Sequence, residues 1–163
     1  MCGEKDCIKD FDEWLGTLPH KHKIVICGNH DLCFEDNPKE ARKLMKNAHY
    51  LEDETIEIEG LKFYGSPWQP EFHNWAFNLN RGEEIKKKWD LIPNDTDVLI
   101  THGPPYGILD KEAVNGEHCG CEELLAAVNR IKPKIHIFGH IHEAYGELKL
   151  NGTHFINPCS CDL

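Results

Sequence analysis

The chain has 163 residues, of which 28 are acidic and 18 basic, giving a formal net charge of -10 at pH 7. This length fits one domain, residues 1–163, with a single core. The acidic balance and the lack of a Lys/Arg stripe argue against binding to the backbone of long nucleic acid. Because no apolar run could span a bilayer and no signal peptide is recognisable, we expect a cytoplasmic protein without membrane contacts.

Helical and strand-like patterns alternate along the chain. In chain order we predict a helix over 8–15, a strand over 23–27, a helix over 38–48, a hairpin of strands 55–58 and 61–64, a helix over 82–89, a strand over 97–100, a helix over 122–131, a strand over 134–138, and a last hairpin that turns at Asn151-Gly152. This order predicts an α/β fold, with mixed sheets in a sandwich and helices outside.

Polar motifs follow three of the predicted strands. They are Gly28-Asn29-His30-Asp31, Thr101-His102-Gly103-Pro104-Pro105 and Gly139-His140-Ile141-His142. Each preceding run is short and rich in Val and Ile, as is typical of buried strands that lead into loops. Three such strands would bring four imidazoles and one amide to one edge of a sheet, where metal ligands belong.

In this order, the three segments resemble the Asn-His, His-Gly and Gly-His-x-His motifs of calcineurin-like metallophosphoesterases. Matches at Trp14-Leu15-Gly16, residues 64–68 and residues 75–77 narrow the resemblance to the small branch of metallophosphoesterase domain-containing proteins. The resemblance covers residues 11–158. It implies two mixed β-sheets flanked by helices, and hydrolysis of a phosphodiester or phosphomonoester by a metal-activated hydroxide.

The chain departs from the family pattern at its start. The family's Asp-x-His and Gly-Asp segments, the latter carrying a carboxylate that bridges two metals, are not found before Gly28. On this resemblance the domain is expected to be N-terminally incomplete and to lack its first strand. The edge so exposed would allow a homo-oligomer. The open explanations are an active enzyme, a catalytically dead metal-binding or interaction module, and a piece of a longer enzyme, of which the last is favoured.

The resemblance also implies the metal ligands. Asn29, His102 and His140 would hold one ion, and His142 would belong to a second. Mn, Fe and Zn are the candidate ions, two in a complete relative and at most one in this chain. Gly103 is expected, together with Gly139, to allow the close backbone approach that a metal shell needs.

His30 and Asp31 are the predicted catalytic residues. By the resemblance the His30 imidazole projects toward the substrate, where it can protonate the leaving alkoxide. Asp31 is expected to hydrogen-bond the other ring nitrogen and favour the protonated ring. The alternative is an ordinary surface histidine beside an acid.

The aromatic segment 66–78 is a candidate for the substrate rim. Aromatic rings in an irregular segment can stack on a nucleobase or form a satellite core. We assign Trp68 and His73 to substrate binding, and Trp75 and Phe77 to the core. The expected substrate is a small phosphorylated molecule, with nucleotides among the candidates. His136, which alternates with its apolar neighbours, is assigned no function.

The eight cysteines are interpreted as thiols rather than as a disulfide framework. Cys119 and Cys121 are separated by one residue, as are Cys159 and Cys161, which is closer than the spacing of ordinary zinc knuckles. Cys27, within an apolar run, is expected to be buried.

Overall fold

Helices and strands alternate in the structure, a computed structural model that describes residues 5–159. In chain order the elements are α1 (Lys5–Thr17), β1 (Ile24–Val25), α2 (Leu32–Asp36), α3 (Pro38–Leu44), β2 (His49–Tyr50), β3 (Glu54–Ile58), β4 (Leu61–Ser66), β5 (Gln69–Pro70), β6 (Asn78–Leu79), α4 (Glu83–Trp89), β7 (Val98–Thr101), α5 (Glu122–Ile131), β8 (Ile135–Ile137), a 3-10 helix (His142–Ala144), β9 (Gly146–Leu150) and β10 (Thr153–Asn157).

The largest sheet has six strands in the order β3-β4-β7-β8-β10-β9. Its four central strands are parallel, and the strands at the two edges are antiparallel to their neighbours. Parallel strands present their carboxyl ends at one edge of a sheet. The loops after β7 and β8 therefore begin side by side, and these are the loops that carry His102 and His140.

A second layer is formed by β1, which pairs in parallel with β2. Gly65 of β4 lies directly against this layer, because a Cβ atom there would be 2.5 Å from the Cβ of Leu51 and 2.7 Å from Cγ2 of Ile26. The missing side chain lets the two layers approach closely. A third, short parallel pair is made by β5 and β6. The predicted α/β class, with a mixed sheet and flanking helices, is confirmed.

Two apolar clusters form the core of the described residues. The first lies between the six-stranded sheet and the helices α4 and α5, and the second joins α1, α2 and α3 to β2 and Phe77. Trp68 packs against both clusters. A row across the parallel strands places Tyr64, Leu99, His136 and Phe155 side by side in the first cluster. His136 is thus fully buried.

One predicted helix, over 38–48, ends early, at Leu44. The reason is a tertiary contact, since the backbone N–H groups of Lys46 and Asn47 both donate to Oδ1 of Asp12 at 2.8 Å. This carboxylate is 5% exposed and satisfies groups that would otherwise continue the helix. The short α2 and the β5–β6 pair were not predicted, and the strand expected over 23–27 is reduced to Ile24–Val25.

The cysteines divide into two kinds. Cys27, Cys33, Cys119 and Cys121 are free thiols, and Cys27 is buried as expected. Cys7 is disulfide-bonded, contrary to the interpretation of all cysteines as thiols. Cys2 and Cys161 lie outside the described residues. Over residues 5–159, no helix combines the length and apolar character needed to cross a membrane.

Candidate metal centre

Three side chains predicted to bind metal converge in the structure. Oδ1 of Asn29 lies 2.8 Å from Nε2 of His102, which in turn lies 3.1 Å from Nδ1 of His140. The three residues come from the loops that follow β1, β7 and β8, so both sheet layers contribute. Of the four predicted metal ligands, these three form one cluster.

Nε2 of His102 has more polar neighbours than one ring nitrogen can hydrogen-bond. Its Nε2 faces Oδ1 and the backbone N–H of Asn29 as well as Nδ1 of His140. One nitrogen cannot both donate to the amide oxygen and accept from the N–H. Oδ1 of Asn29 can only accept, and a cation shared by this oxygen and by unprotonated Nε2 of His102 and Nδ1 of His140 would resolve the conflict.

Burial keeps both imidazoles in the form that binds metal. Burial lowers the pKa of His102 to about 3, with further contributions from His140, His30 and His142. Burial also lowers the pKa of His140 to about 4, assisted by His142 and His30. Both rings are therefore neutral near pH 7, and metal ligation requires neutral imidazole.

Gly28 provides the close approach that had been expected of Gly103. A Cβ atom on Gly28 would lie 2.6 Å from Cε1 and 2.7 Å from Nδ1 of His102, whereas a Cβ on Gly103 would meet nothing within 4 Å. A Cβ on Gly139 would lie 3.1 Å from Sγ of Cys159, so the close contact at Gly139 is with a side chain outside the cluster. The His102 ring is thus seated against bare backbone at Gly28.

The backbone at His140 is strained. Its φ is +71°, and the N–H of Ile141 donates to the carbonyl of Gly139 at 2.9 Å. This is a γ-turn with positive φ at its central residue, a rare conformation for a residue with a side chain. Such strain costs roughly 1–3 kcal/mol and is found mainly at functional sites. The turn separates His140 from His142 at the start of the 3-10 helix.

The fourth predicted ligand, His142, affects the cluster electrostatically. It is exposed and acts on His102 and His140 through its charge, lowering the pKa of each. Within residues 5–159, no three His, Cys, Asp or Glu side chains are grouped to hold a metal. The cluster described above reaches three donors through the amide of Asn29.

His30 and Asp31 do not form the predicted pair. The His30 ring is exposed, and its Nε2 lies 3.3 Å from Nδ2 of Asn29, which can only donate. Oδ2 of Asp31 instead accepts from the N–H of Gly28 at 2.7 Å, so this hydrogen bond lies within the loop 28–31. Burial raises the pKa of Asp31, while this hydrogen bond and the charge of His30 oppose the rise.

Trp75, which was assigned to the core, lies beside the site. Its ring centroid is 5.2 Å from that of His30, 5.1 Å from that of His73 and 6.3 Å from that of His140. Phe72, which is 53% exposed, extends this group of rings. Sequence reasoning missed Trp75 because aromatic spacing alone does not distinguish a core ring from one at a rim.

Trp68 has a supporting position instead. Its indole N–H donates to Oδ2 of Asp53 at 2.9 Å, and Nζ of Lys88 lies 4.1 Å from the ring centroid. It contacts the fully buried Phe77 edge to face, with centroids 5.5 Å apart. Phe77 is in the core as predicted.

Comparison with known proteins agrees with this geometry. Residues 3–144 match the family model described as Calcineurin-like phosphoesterase. The chain is 42% identical to human Metallophosphoesterase domain-containing protein 1, with 94% of the chain and 55% of that protein covered. It is 43% identical to UPF0046 protein T07D4.2 of Caenorhabditis elegans, covering 99% of the chain and 48% of that protein. The chain therefore spans about half the length of these relatives.

Solved structures share the fold. The protein TT1561 of Thermus thermophilus has a TM-score of 0.63 and 15% identity, covering 97% of this chain and 72% of that one. Another crystal structure has a TM-score of 0.71 and 20% identity, covering 94% of this chain and 63% of its own.

Proposed function

Because this chain belongs to the calcineurin-like phosphoesterase family, we propose that it hydrolyses a phosphodiester or phosphomonoester of a small molecule with a divalent metal ion. The observation that carries the proposal is the convergence of three side-chain atoms. Oδ1 of Asn29 lies 2.8 Å from Nε2 of His102, and Nδ1 of His140 lies 3.1 Å from the same nitrogen. Net charge supports a small substrate, since an acidic chain does not attract long nucleic acid.

Asn29, His102 and His140 would hold one ion of Mn, Fe or Zn, and His142 would serve a second ion where other ligands complete it. When bound, the ion acts as a Lewis acid on the phosphoryl oxygens and lowers the pKa of water. The protein's part is to keep the two rings neutral and fixed. Burial keeps the rings neutral, and the contact of His102 with Gly28 and the turn at His140 fix their positions.

His30 is the proposed general acid. Its ring is exposed next to the proposed ligand Asn29, and its centroid is 5.2 Å from that of Trp75, so the ring is accessible to a substrate bound at the cluster. Protonation of the leaving oxygen from this position would assist cleavage of esters with poor leaving groups. Asp31 would act indirectly, by shaping the loop through Gly28.

The rim formed by Phe72, His73 and Trp75 is proposed to contact the organic part of the substrate, for which a nucleotide is one candidate. Trp68 packs on Phe77 in the core and is not part of this rim. A cytoplasmic location and a homo-oligomer are proposed on the sequence alone.

A non-catalytic metal-binding or interaction module is the alternative. It is favoured by the single three-donor cluster found in residues 5–159, since the family mechanism uses two ions. The two proposals differ in turnover and agree on metal binding at Asn29, His102 and His140.

The test is hydrolysis of p-nitrophenyl phosphate and bis(p-nitrophenyl) phosphate with Mn²⁺, Fe²⁺ or Zn²⁺. We expect slow, metal-dependent turnover that His140→Ala abolishes. His154→Ala, which removes an imidazole paired with Glu147 rather than one of this cluster, is the matched control and should retain activity. Metal binding without turnover in the wild type would favour the module, and no binding at all would overturn both.

A further inference from the structure

We propose that His136 is a positioning residue for the metal centre, acting through the Thr101 hydroxyl on the loop that carries His102. The inference rests on the proposed function, because it assigns a role in holding a metal ligand. His136 lies on β8 and contacts none of the three converging side chains directly. Its effect would pass through two hydrogen bonds.

The two hydrogen bonds are short and enclosed. Nε2 of His136 lies 2.9 Å from Oγ1 of Thr101, and this hydroxyl lies 2.8 Å from the carbonyl oxygen of Gly103. His136 is 0% exposed and Thr101 is 1% exposed. Water cannot compete for these groups, so the contact between β8 and the start of the His102 loop is persistent.

We call the two hydrogen bonds, from His136 to Thr101 and from Thr101 to Gly103, the relay. The number of available hydrogens fixes which group donates in each. A hydroxyl has one hydrogen, and that of Thr101 is used on the Gly103 carbonyl, which can only accept. Thr101 must therefore accept from His136, whose Nε2 carries the proton. Burial lowers the pKa of His136 to about 3, so the ring is neutral and holds this single tautomer.

Packing alone does not account for an imidazole at this position. Nδ1 of His136 has no hydrogen bond partner among residues 5–159, although it is buried. An unsatisfied buried acceptor is unfavourable, and an aliphatic side chain would avoid it. The residues on either side, Ile135 and Ile137, are aliphatic. What the imidazole adds is the donor to Thr101.

The relay braces both histidine ligands of the cluster. Thr101 and Gly103 flank His102 in sequence, and the carbonyl of His102 accepts from the N–H of Gly139 at 2.9 Å. Gly139 immediately precedes His140. Release of the Thr101–Gly103 contact would thus loosen the loop at His102 and the contact with the loop at His140.

The first test is the tautomer of His136. Long-range proton–nitrogen NMR spectra of the full chain should show a slowly exchanging proton on Nε2 and an unprotonated Nδ1. A proton on Nδ1 would overturn the proposal, because Thr101 would then have no donor to accept from.

The second test uses four single variants and the double variant that combines His136→Phe with Thr101→Val. His136→Phe removes the donor, and Thr101→Val removes the hydroxyl with little change of shape. His136→Gln keeps an N–H that can reach Thr101. Ile131→Val is the control, since it thins the same core without touching the relay.

Two readouts are measured on folded protein. In metal-free protein, we expect His136→Phe and Thr101→Val to speed hydrogen exchange of the Gly139 amide about 10-fold. We expect both to weaken Co²⁺ binding by at least about 10-fold, the range typical of residues that orient ligands. His136→Gln should restore both values to within about threefold, and the double variant should be no worse than either single one.

Two outcomes would overturn the relay alone. One is Co²⁺ binding by His136→Phe that equals that of the wild type, and the other is an equal loss in Ile131→Val, which would indicate a general effect of core stability. A wild type that binds no Co²⁺ would instead overturn the proposed function and this inference with it. The same holds if His102→Ala leaves Co²⁺ binding unchanged.

Discussion

Oδ1 of Asn29 lies 2.8 Å from Nε2 of His102, although the two residues are 73 positions apart in the chain. Asn29 follows β1 in the second layer, and His102 follows β7 in the six-stranded sheet. The contact joins the two layers at their edge. A cation bound between them would cross-link the two layers at this edge.

A bound ion should therefore stabilise the fold. At a free ion concentration of 100 times the dissociation constant, a ligand specific to the folded state adds about 2.7 kcal/mol to the free energy of unfolding. We expect Zn²⁺ or Mn²⁺ to raise the thermal midpoint of the wild type and to leave Asn29→Ala unchanged. Scanning calorimetry with and without EDTA measures this, and an equal rise in both proteins would place the binding elsewhere.

The Gly28→Ala substitution should displace the His102 ring without requiring a change of backbone conformation at position 28. The new methyl group would lie 2.6 Å from Cε1 of His102, so the ring must shift. We expect metal affinity to fall at least about 10-fold, since ligand geometry has little tolerance. Isothermal titration with Zn²⁺ measures the change.

Gly103→Ala is the matched control. It lies in the same loop as His102, and its added methyl group would meet nothing within 4 Å. Metal affinity should stay within about threefold of the wild type. Equal losses in Gly28→Ala and Gly103→Ala would contradict the role given to the Gly28 contact.

His30→Gln tests the general acid. For an alkyl phosphodiester, whose leaving group needs a proton, we expect kcat to fall about 100-fold, as is usual for loss of a general acid. For a p-nitrophenyl ester, whose leaving group departs as a stable anion, the loss should be under about 10-fold. Steady-state kinetics on both esters give the ratio. Equal losses would mean that His30 positions the substrate and does not protonate it.

The main elements and the metal cluster were predictable for different reasons. The spacing of apolar residues predicted α4, α5 and the β3–β4 hairpin, because these patterns are local. That the motifs carrying Asn29, His102 and His140 lie together was predicted because each motif follows a strand, and the role of these residues as metal ligands was implied by the resemblance to calcineurin-like metallophosphoesterases. Both predictions use information present within short segments.

Contacts made by particular side chains could not be predicted in the same way. Asp31 was expected to bind His30, but the shorter reach to the Gly28 N–H is preferred. The end of α3 depends on Asp12, more than 30 positions away. His136 alternates with Ile135 and Ile137 and lies on the opposite side of the sheet, but the sequence pattern could not tell that its side is the fully buried one, whereas the two isoleucines are half-buried.

Acid should destabilise the protein through His136. Its pKa is about 3 in the folded state and 6.5 ordinarily. Above pH 6.5 both states are neutral there, and stability is unaffected. As pH falls below 6.5, the unfolded chain binds a proton that the folded protein does not, so stability is lost at up to about 1.4 kcal/mol per pH unit until the folded ring is protonated.

Urea unfolding of the wild type and His136→Gln at several pH values between 7 and 4, without metal, measures this. His102 and His140 act in the same direction, but they are common to both proteins and cancel in the difference. We expect the wild type to lose more stability than the variant as pH falls. Parallel curves would contradict a neutral, buried His136.

Cys121 should stabilise α5 as its N-cap. Its Sγ accepts from the N–H of Leu124 at 3.4 Å and from the indole N–H of Trp89 at 3.3 Å, so one thiol links the helix end to α4. Cys121→Ala leaves both donors unsatisfied and should lower the free energy of unfolding by about 1–3 kcal/mol. Cys121→Ser keeps an acceptor and should cost less than half as much. Urea unfolding at neutral pH measures these changes. Cys33→Ala, a thiol outside this contact, is the control for the general loss of a sulfur atom. A serine variant as unstable as the alanine variant would assign the effect to side-chain volume rather than to hydrogen bonding.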